Sequence, residues 1–207
     1  MSTMQTVPTR SAVLELKAER LVVSEAYNFL DEKRLLLAAE LLRQLAEYER
    51  LQQAFEQLRR QAVTALLHAV AQHGLQGLSV YPAAVIKAAH LETETRNFMG
   101  VALADTRLQL AEDTAAVTAA CPSSEANTCK EAFRKLLDLS SRIAGISGNL
   151  YRLLVEYRLT ERRARALENV ILPEIEEMLH VMTTHLEELD FEDAVRVRVR
   201  SKSASSA

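Results

Sequence analysis

The sequence predicts an all-α protein: a long antiparallel two-helix coiled coil with a small β-hairpin and short-helix cap in mid-chain. In two long stretches, apolar residues recur at alternating steps of three and four, the spacing of a coiled-coil seam. The 207 residues include only five glycines and four prolines, as expected of a mostly helical chain. Roughly 55 residues separate the two stretches, which therefore suit one hairpin of helices.

The first predicted helix covers residues 11–73 and follows an N-terminal arm, residues 1–10. Thr9 or Ser11 can cap its start, and Gly74 supplies a stop at its end. Its length is about 80–100 Å at ~1.5 Å per residue. The seam of this helix comprises Val13, Leu16, Arg20, Val23, Tyr27, Leu30, Arg34, Leu37, Leu41, Gln44, Tyr48, Leu51, Phe55, Leu58, Ala62 and Ala65.

A second apolar stripe runs beside this seam. It consists of Leu14, Leu21, Leu35 and Leu42, which recur at multiples of seven residues. Such a stripe predicts either tight coiling of the two helices in this region or contact with another protein.

Residues 74–128 form the predicted hairpin region. Residues 91–96 and 101–110 alternate in the manner of strands, and residues 97–100 look like the turn between them. We expect this hairpin at the far end of the paired helices, followed by a short helix over residues 111–120.

The second predicted helix covers residues 129–193, opens at a capping box that begins with Thr128, and precedes a flexible basic tail, residues 194–207. Pro173 has no amide hydrogen and predicts a bend or a loosened turn nearby. The seam of this helix comprises Leu136, Leu139, Ile143, Ile146, Leu150, Leu153, Tyr157, Thr160, Ala164, Leu167, Ile171, Glu174, Met178, Val181 and His185.

Pairing the two seams predicts which residues face each other. If the helix ends near 73 and 129 meet, Gly145 and Gly148 lie opposite Phe55, where small residues let the backbones approach. The same register places Arg34 opposite Glu168, a polar pair that would fix the alignment of the helices.

Charge is arranged in bands along the second helix. Eight acidic residues and no lysine or arginine lie between Glu174 and Asp193, and a basic collar of Arg158, Arg162, Arg163 and Arg165 precedes them. Such bands are usually solvated faces that complement helix dipoles. The alternative is a helix pair seated inside a charged ring of partner proteins.

No catalytic or cofactor-binding pattern accompanies these helices. The chain has one Glu-x-x-His motif, Glu177 to His180, whereas a di-iron bundle needs two and glutamates from further helices. Phosphate loops and nucleophile elbows do not occur, and two cysteines, Cys121 and Cys129, predict reduced thiols rather than a zinc site. We therefore expect a non-catalytic protein without metal or cofactor.

Composition also argues against several classes of partner. A net charge of −3 gives no reason to expect nucleic-acid binding. The polar start of the chain lacks the apolar core of a secretory signal, and no apolar run approaches the ~18 residues of a membrane span. We expect a cytoplasmic protein that meets a membrane only through its partners.

Three stretches of the chain resemble the D subunit of the V-type (vacuolar and archaeal-type) ATPases. They are the opening from Pro8 to Leu37, the turn Arg96-Asn97-Phe98-Met99-Gly100-Val101, and residues 163–173, similar to the family pattern Arg-x-Asn-Ala-Leu-Glu-x-Val-x-x-Pro. The stretches occur in the family's order and spacing, although Arg165 stands where the family usually has asparagine.

The resemblance implies the central rotor shaft of a rotary ATPase. In that family the paired termini sit inside a hexamer of A and B subunits, and the small F subunit grips the shaft. A funnel-shaped subunit (C/d type) at the foot passes rotation to the membrane ring. Rotation then couples ATP hydrolysis or synthesis to ion transport.

The resemblance and the charge bands together suggest two sets of contact residues. Contacts with the hexamer are expected from Arg10, Lys17, Arg158, Arg162, Arg163, Arg165 and Glu168. Contacts at the foot end are expected from Arg96, Asn97, Met99 and Gly100.

Two other functions fit parts of the pattern. A prefoldin-like holdase chaperone also joins coiled-coil helices through β-hairpin structure, but its tips are apolar, whereas residues 187–202 are strongly charged. A ferritin-like metalloenzyme would need ligands that the sequence does not supply.

Overall fold

The structure is a computed structural model that describes residues 9–81, 89–110 and 123–205. Its elements are α1 (Arg10–Ser79), β1 (Ala89–Phe98), β2 (Val101–Leu110), α2 (Ser124–Ala166), a π-helical segment (Leu167–Ile171) and α3 (Leu172–Ser205). The predicted all-α class with a small mid-chain hairpin is confirmed. The chain divides into two compact units, residues 1–35 with 158–207 and residues 36–157.

In the first unit, the start of α1 lies antiparallel to the end of the chain. Arg10 pairs with Asp190 at 2.9 Å, and Arg20, further along α1, pairs with Glu176 at 2.9 Å. The side chains buried here are small or apolar, with one threonine: Val13, Thr160, Ala164, Ile175 and Met182.

In the second unit, the remainder of α1 lies antiparallel to α2. Leu37 and Leu153 are both fully buried in one core cluster, and His73 hydrogen-bonds Ser123 at 2.6 Å. Ser123 also caps α2, because its hydroxyl accepts the amide hydrogen of Ala126. The second helix therefore begins at Ser124, and Thr128 of the predicted capping box lies inside it.

Both predicted strands of the hairpin are present, but the turn is shorter than the predicted residues 97–100, because β1 continues through Phe98. Phe98 pairs with Val101, and the two residues between them, Met99 and Gly100, have φ values of 50° and 88°. Positive φ at both positions is the signature of a type I′ turn, whose twist suits a hairpin. The Asn97 side-chain oxygen accepts the Gly100 amide hydrogen at 3.1 Å.

The expected position of the hairpin at the far end of the helices is wrong. Phe98 and Met99 at the turn pack against the cluster that contains Leu37 and Leu153. The helix ends of this unit meet instead at His73 and Ser123, roughly 50 Å further along α1. The hairpin lies beside the helices because its turn carries apolar side chains that the helix seam can bury.

The α1 seam is confirmed almost completely. Every seam residue from Val13 to Ala65 is buried or half-buried except Arg20, whose side chain reaches outward to Glu176. Helical geometry breaks at Gly74, whose φ of 67° and ψ of 164° lie outside the helical region. Glycine adopts positive φ at little steric cost, so the regular helix is interrupted at Gly74, as predicted, and a short helical segment continues beyond it to Ser79.

The expected pairing of two glycines with Phe55 is wrong. A Cβ atom added at Gly145 would overlap the hydroxyl of Thr106 in β2, whereas one added at Gly148 would meet nothing within 4 Å. The Thr106 hydroxyl donates to the Ser141 carbonyl at 2.6 Å. Gly145 is therefore small because β2, not α1, approaches α2 at this point.

The loosened turn predicted near Pro173 is confirmed as the π-helical segment, called the π-turn below. The amide of Leu172 donates to the carbonyl of Leu167, five residues earlier rather than four. Each such bond encloses one residue more than an α-helical bond. Residues after the π-turn are therefore rotated relative to a continuous α-helix.

This extra residue makes the second predicted seam wrong beyond Leu167. The predicted positions Ile171, Glu174, Met178, Val181 and His185 are all exposed. The residues that are buried or half-buried are each one position later: Leu172, Ile175, Leu179, Met182 and Leu186. All five are apolar, so the polar interruptions at Glu174 and His185 leave the seam.

The predicted facing of Arg34 and Glu168 is replaced by other contacts. Glu168 hydrogen-bonds Tyr27, which precedes Arg34 by about two helical turns. Arg34 itself pairs with Asp31 on its own helix. The pairing of the helices is thus displaced from the predicted register.

The predicted tail and the short helix predicted before the second long helix have different outcomes. Residues 194–205, predicted as a flexible tail, continue α3 as helix. The short helix predicted over residues 111–120 lies outside the described residues.

Candidate partner-binding surfaces

The basic collar lies near the end of α2 in the first unit. Arg158, Arg162, Arg163 and Arg165 are all exposed. Positions 158, 162 and 165 are four and three residues apart and therefore share one helix face. Arg165 also pairs with Glu161 at 2.7 Å. The collar is a solvent-facing basic patch that a partner carboxylate can reach.

Two predicted contact residues of α1 are also exposed in this unit. Arg10 holds both Asp190 oxygens at 2.9 Å, yet its side chain is 79% exposed. An ion pair so accessible to water contributes little to stability. The side chain of Lys17, further along α1, is also exposed. Both cationic side chains can therefore bind a partner at little cost in stability.

Glu168, the last predicted contact residue in this unit, belongs to the π-turn. It accepts a hydrogen bond from the Tyr27 hydroxyl. Partial burial, and then the neighbouring Glu168 carboxylate, raises the pKa of Tyr27. The π-turn is thus linked to α1 by a side chain of its own.

The second apolar stripe of α1 is open to solvent. Leu14, Leu21 and Leu35 in the first unit are 61–67% exposed, and Leu42 in the second unit is 67% exposed. Tight coiling of the helices does not cover these side chains. Contact with another protein, the other alternative left by the sequence, stays a prediction for these exposed leucines.

The hairpin residues predicted to contact a partner are partly engaged within the second unit. Arg96 donates to Glu40 of α1 at 2.6 Å, and Met99 is half-buried at the core cluster. Asn97 and Gly100 are exposed and joined by the turn hydrogen bond. The four residues lie together at one turn, but not at the helix ends.

Glu40 is a buried carboxylate that sequence reasoning missed. It accepts hydrogen bonds from Arg43, Gln44 and Arg96 at 2.6–3.0 Å. These donors, Arg43 above all, outweigh the effect of burial and lower the pKa of Glu40 to about 2. The carboxylate thus joins α1 to β1. Its spacing of three from Arg43 was visible in the sequence, but its link to Arg96 was not.

Asn149 of α2 joins the same hairpin from the other side. It is completely buried, and its amide accepts from the Ala104 nitrogen at 2.7 Å and donates to the Ala104 oxygen at 2.9 Å. Arg152, one turn later, donates to the Ala102 oxygen at 3.3 Å. A polar residue beside seam position Leu150 was the only sequence signal for this contact.

A polar groove of about 980 Å³ separates the charged base of the hairpin from the helices of the second unit. Its walls carry both signs of charge, from Arg43, Glu47, Glu94, Asp105 and Arg142 among others. Within the described residues, no three His, Cys, Asp or Glu side chains cluster closely enough to hold a metal ion. The groove presents no recognisable catalytic arrangement.

The sequence also led to predictions about membrane-spanning helices and about the two cysteines. No described helix combines the length and hydropathy needed to cross a membrane. Cys129 carries a free thiol whose pKa is raised by burial. Cys121 lies outside the described residues.

Comparison with known proteins relates this chain to one family. Residues 12–202 match the family model of the ATP synthase D subunit. The V-type ATP synthase D subunit of Thermotoga neapolitana is 27% identical over 202 residues, covering 97% of this chain and all of the relative. That of Anaeromyxobacter dehalogenans is 30% identical over 193 residues, with 92% of each chain covered.

An archaeal relative agrees with the two bacterial ones. The A-type ATP synthase D subunit of Thermococcus kodakarensis is 27% identical over 194 residues, covering 92% of this chain and 91% of the relative. The match spans both long helices and the hairpin between them. The chain therefore belongs to the D-subunit family of the V-type and A-type ATP synthases.

Proposed function

We propose that the chain is the central rotor shaft of a V/A-type ATPase, coupling ATP hydrolysis or synthesis to ion translocation by rotation. The observation that carries this proposal is the family match over residues 12–202. As a shaft component the chain has no catalytic residue of its own. It works at the membrane periphery on the cytoplasmic side, through its partners.

The exposed surfaces of the first unit support enclosure by an A/B hexamer. A shaft must be gripped and yet turn, which favours charged contacts over a wide apolar seal. The basic collar and Arg10, Lys17 and Glu168 supply charge, while Leu14, Leu21 and their exposed neighbours Val22 and Phe29 supply apolar surface. The small F subunit and the funnel-shaped subunit are the other expected partners.

The hairpin residues keep a proposed role in partner contact, with a changed location. Because Arg96 and Met99 are held against the middle of α1, a partner that binds them meets the side of the helices. The end at His73 and Ser123 is the better candidate for the foot contact.

Charge reversal of the collar tests the hexamer contact. Replacing Arg158, Arg162 and Arg165 by glutamate should lower ATP-driven ion transport at least several-fold in the reconstituted ATPase, since three attractive contacts on one helix face become repulsive. The triple variant Arg50→Glu, Arg59→Glu and Arg60→Glu is the matched control, because these three exposed arginines lie in the second unit. Equal coupling in the collar variant and the control would contradict the proposed contact.

Co-purification separates the rotor from the chaperone alternative. The tagged full-length chain should bring down stoichiometric A, B and F subunits from membranes stripped at low salt. A prefoldin-like holdase would instead retain a heterogeneous set of unfolded chains. Family membership favours the rotor over this alternative.

A further inference from the structure

We propose that the π-turn Leu167–Ile171 is a register switch that gives α3 two rotational settings against α1. The setting in the structure buries the seam Leu172, Ile175, Leu179, Met182 and Leu186. Resolving the π-turn into α-helix would place Ile171, Glu174, Met178, Val181 and His185 there instead. The inference concerns the chain by itself and does not rest on the rotor function.

The first support is that α3 carries two overlapping seams, one residue apart. In the alternative seam, Ile171, Met178 and Val181 are apolar side chains that are now 36–61% exposed. They are spaced seven and three residues apart, so rotating α3 by one residue would bury all three side chains on one face. Glu174 and His185 are the polar members, and they explain why the observed setting is preferred.

The second support is the weakness of the contacts that hold the observed setting. The ion pairs Arg20–Glu176 and Arg10–Asp190 join α3 to α1, but all four side chains are more than half exposed. Such pairs contribute little. Rotation of α3 by about 100°, the angle of one helical residue, therefore breaks no strong polar contact.

The third support is the chemistry of the turn. Pro173 cannot donate the hydrogen bond that an α-helix would direct to the Asn169 carbonyl. The α-helical setting therefore lacks one hydrogen bond at this point, and the π-turn has the irregular bond of Leu172 to Leu167. Neither setting is a perfect helix, which brings the two closer in free energy.

Cysteine accessibility tests the switch in the full-length chain. With Cys121 and Cys129 replaced by alanine, Ile175→Cys places a thiol at a site that is now 2% exposed. Rotation would bring this thiol to an outward position resembling that of Glu176. Val13→Cys is the control, because Val13 is 8% exposed and becomes accessible only if the helices separate.

A deletion locks the observed seam. Removing Val170 together with Pro173→Ala converts the π-turn to α-helix while keeping Leu172, Ile175 and Met182 in the seam. Alkylation of Ile175→Cys should be at least tenfold faster than that of Val13→Cys in the parent chain. In the deletion background the two rates should become equal. Pro173→Ala alone is the control for loss of proline.

Spin-label distances give a second measurement that does not alter the core. Labels at the exposed positions Lys17 and His180 should report two distance populations in the parent chain and one in the deletion variant. Equal protection of Ile175→Cys in both backgrounds, together with a single distance population in the parent, would overturn the proposal. Melting curves of each variant confirm that it is folded.

Discussion

The two long helices differ in how regularly they present their seams. Along α1, sixteen seam positions from Val13 to Ala65 keep steps of three and four, and only Arg20 points outward. On the second helix, the same rule holds as far as Leu167 and then fails by one residue at the π-turn. Periodicity predicts burial only while the backbone remains α-helical.

The second helix also packs against more than one element of the fold. Its seam faces α1, but Gly145 and Asn149 face β2 of the hairpin. A small residue and a polar residue inside an apolar pattern mark where the partner changes from a helix to a strand. An exception in an apolar seam can therefore mark a change in what the helix packs against, and is not always a tolerated substitution.

The largest expected effect concerns the shifted seam. Ile175→Ala should lower the free energy of unfolding by about 3 kcal/mol, because it truncates a buried side chain and leaves a cavity. Val181→Ala, at the originally predicted seam, should change it by less than ~0.5 kcal/mol. Urea denaturation measures both.

If Val181→Ala lowered the free energy of unfolding more than Ile175→Ala, the uninterrupted seam would be correct and the one-residue shift would be refuted. Leu153→Ala serves as the reference, since Leu153 is fully buried at a position where prediction and structure agree.

The next effect concerns the contact of α1 with the hairpin. Glu40→Gln should cost about 2 kcal/mol at pH 7, because the arginine donors lose a charged acceptor. The folded pKa of about 2 lies below the ordinary 4.5. The carboxylate therefore stabilises the protein fully above pH 4.5 and loses this effect as the pH falls towards 2.

Parallel urea titrations of the parent and Glu40→Gln at pH 7 and at about pH 3 measure this dependence. The difference between the two proteins should shrink at the lower pH. Glu47→Gln is the matched control, because Glu47 pairs with Arg50 on its own helix and has a more exposed side chain.

The smallest effect uses the two glycines of α2. Gly148→Ala should stabilise by about 0.5–1 kcal/mol, since alanine is the better helix former and the added methyl meets open space. Gly145→Ala should destabilise by about 1 kcal/mol or more, because its methyl displaces the Thr106 hydroxyl. Thermal melts compare them.

Opposite signs at these neighbouring glycines would sharpen the difference between the strand-facing position Gly145 and the open position Gly148 of α2. Stabilisation by both substitutions would mean that the hairpin is not docked at Gly145 in solution.

The sequence was informative wherever local rules decide the structure. Periodicity and the chemistry of glycine and proline predict the α1 seam, the break in helical geometry at Gly74 and the distortion before Pro173. They also locate the hairpin turn, although the predicted turn is two residues too long. Pro173 indicated where the distortion would occur. It did not indicate that one whole residue would be inserted there.

Long-range contacts were not predictable in the same way. The docking of the hairpin beside the helices depends on Glu40 with Arg96 and on Asn149 with Ala104, pairs separated by 56 and 45 residues. No local spacing connects such pairs. The predicted partner-contact residues stay predictions, because partner surfaces are chosen by the partner as well as by this chain.

The double hydrogen bond from Asn149 has a consequence for solubility. A two-stranded sheet has two open edges, and unpaired strand edges recruit strands from other molecules. Asn149 and Arg152 occupy backbone groups of Ala104 and Ala102 that β2 would otherwise offer along its outer edge. The outer edge of β2 is thereby shielded from intermolecular strand pairing while the protein awaits assembly.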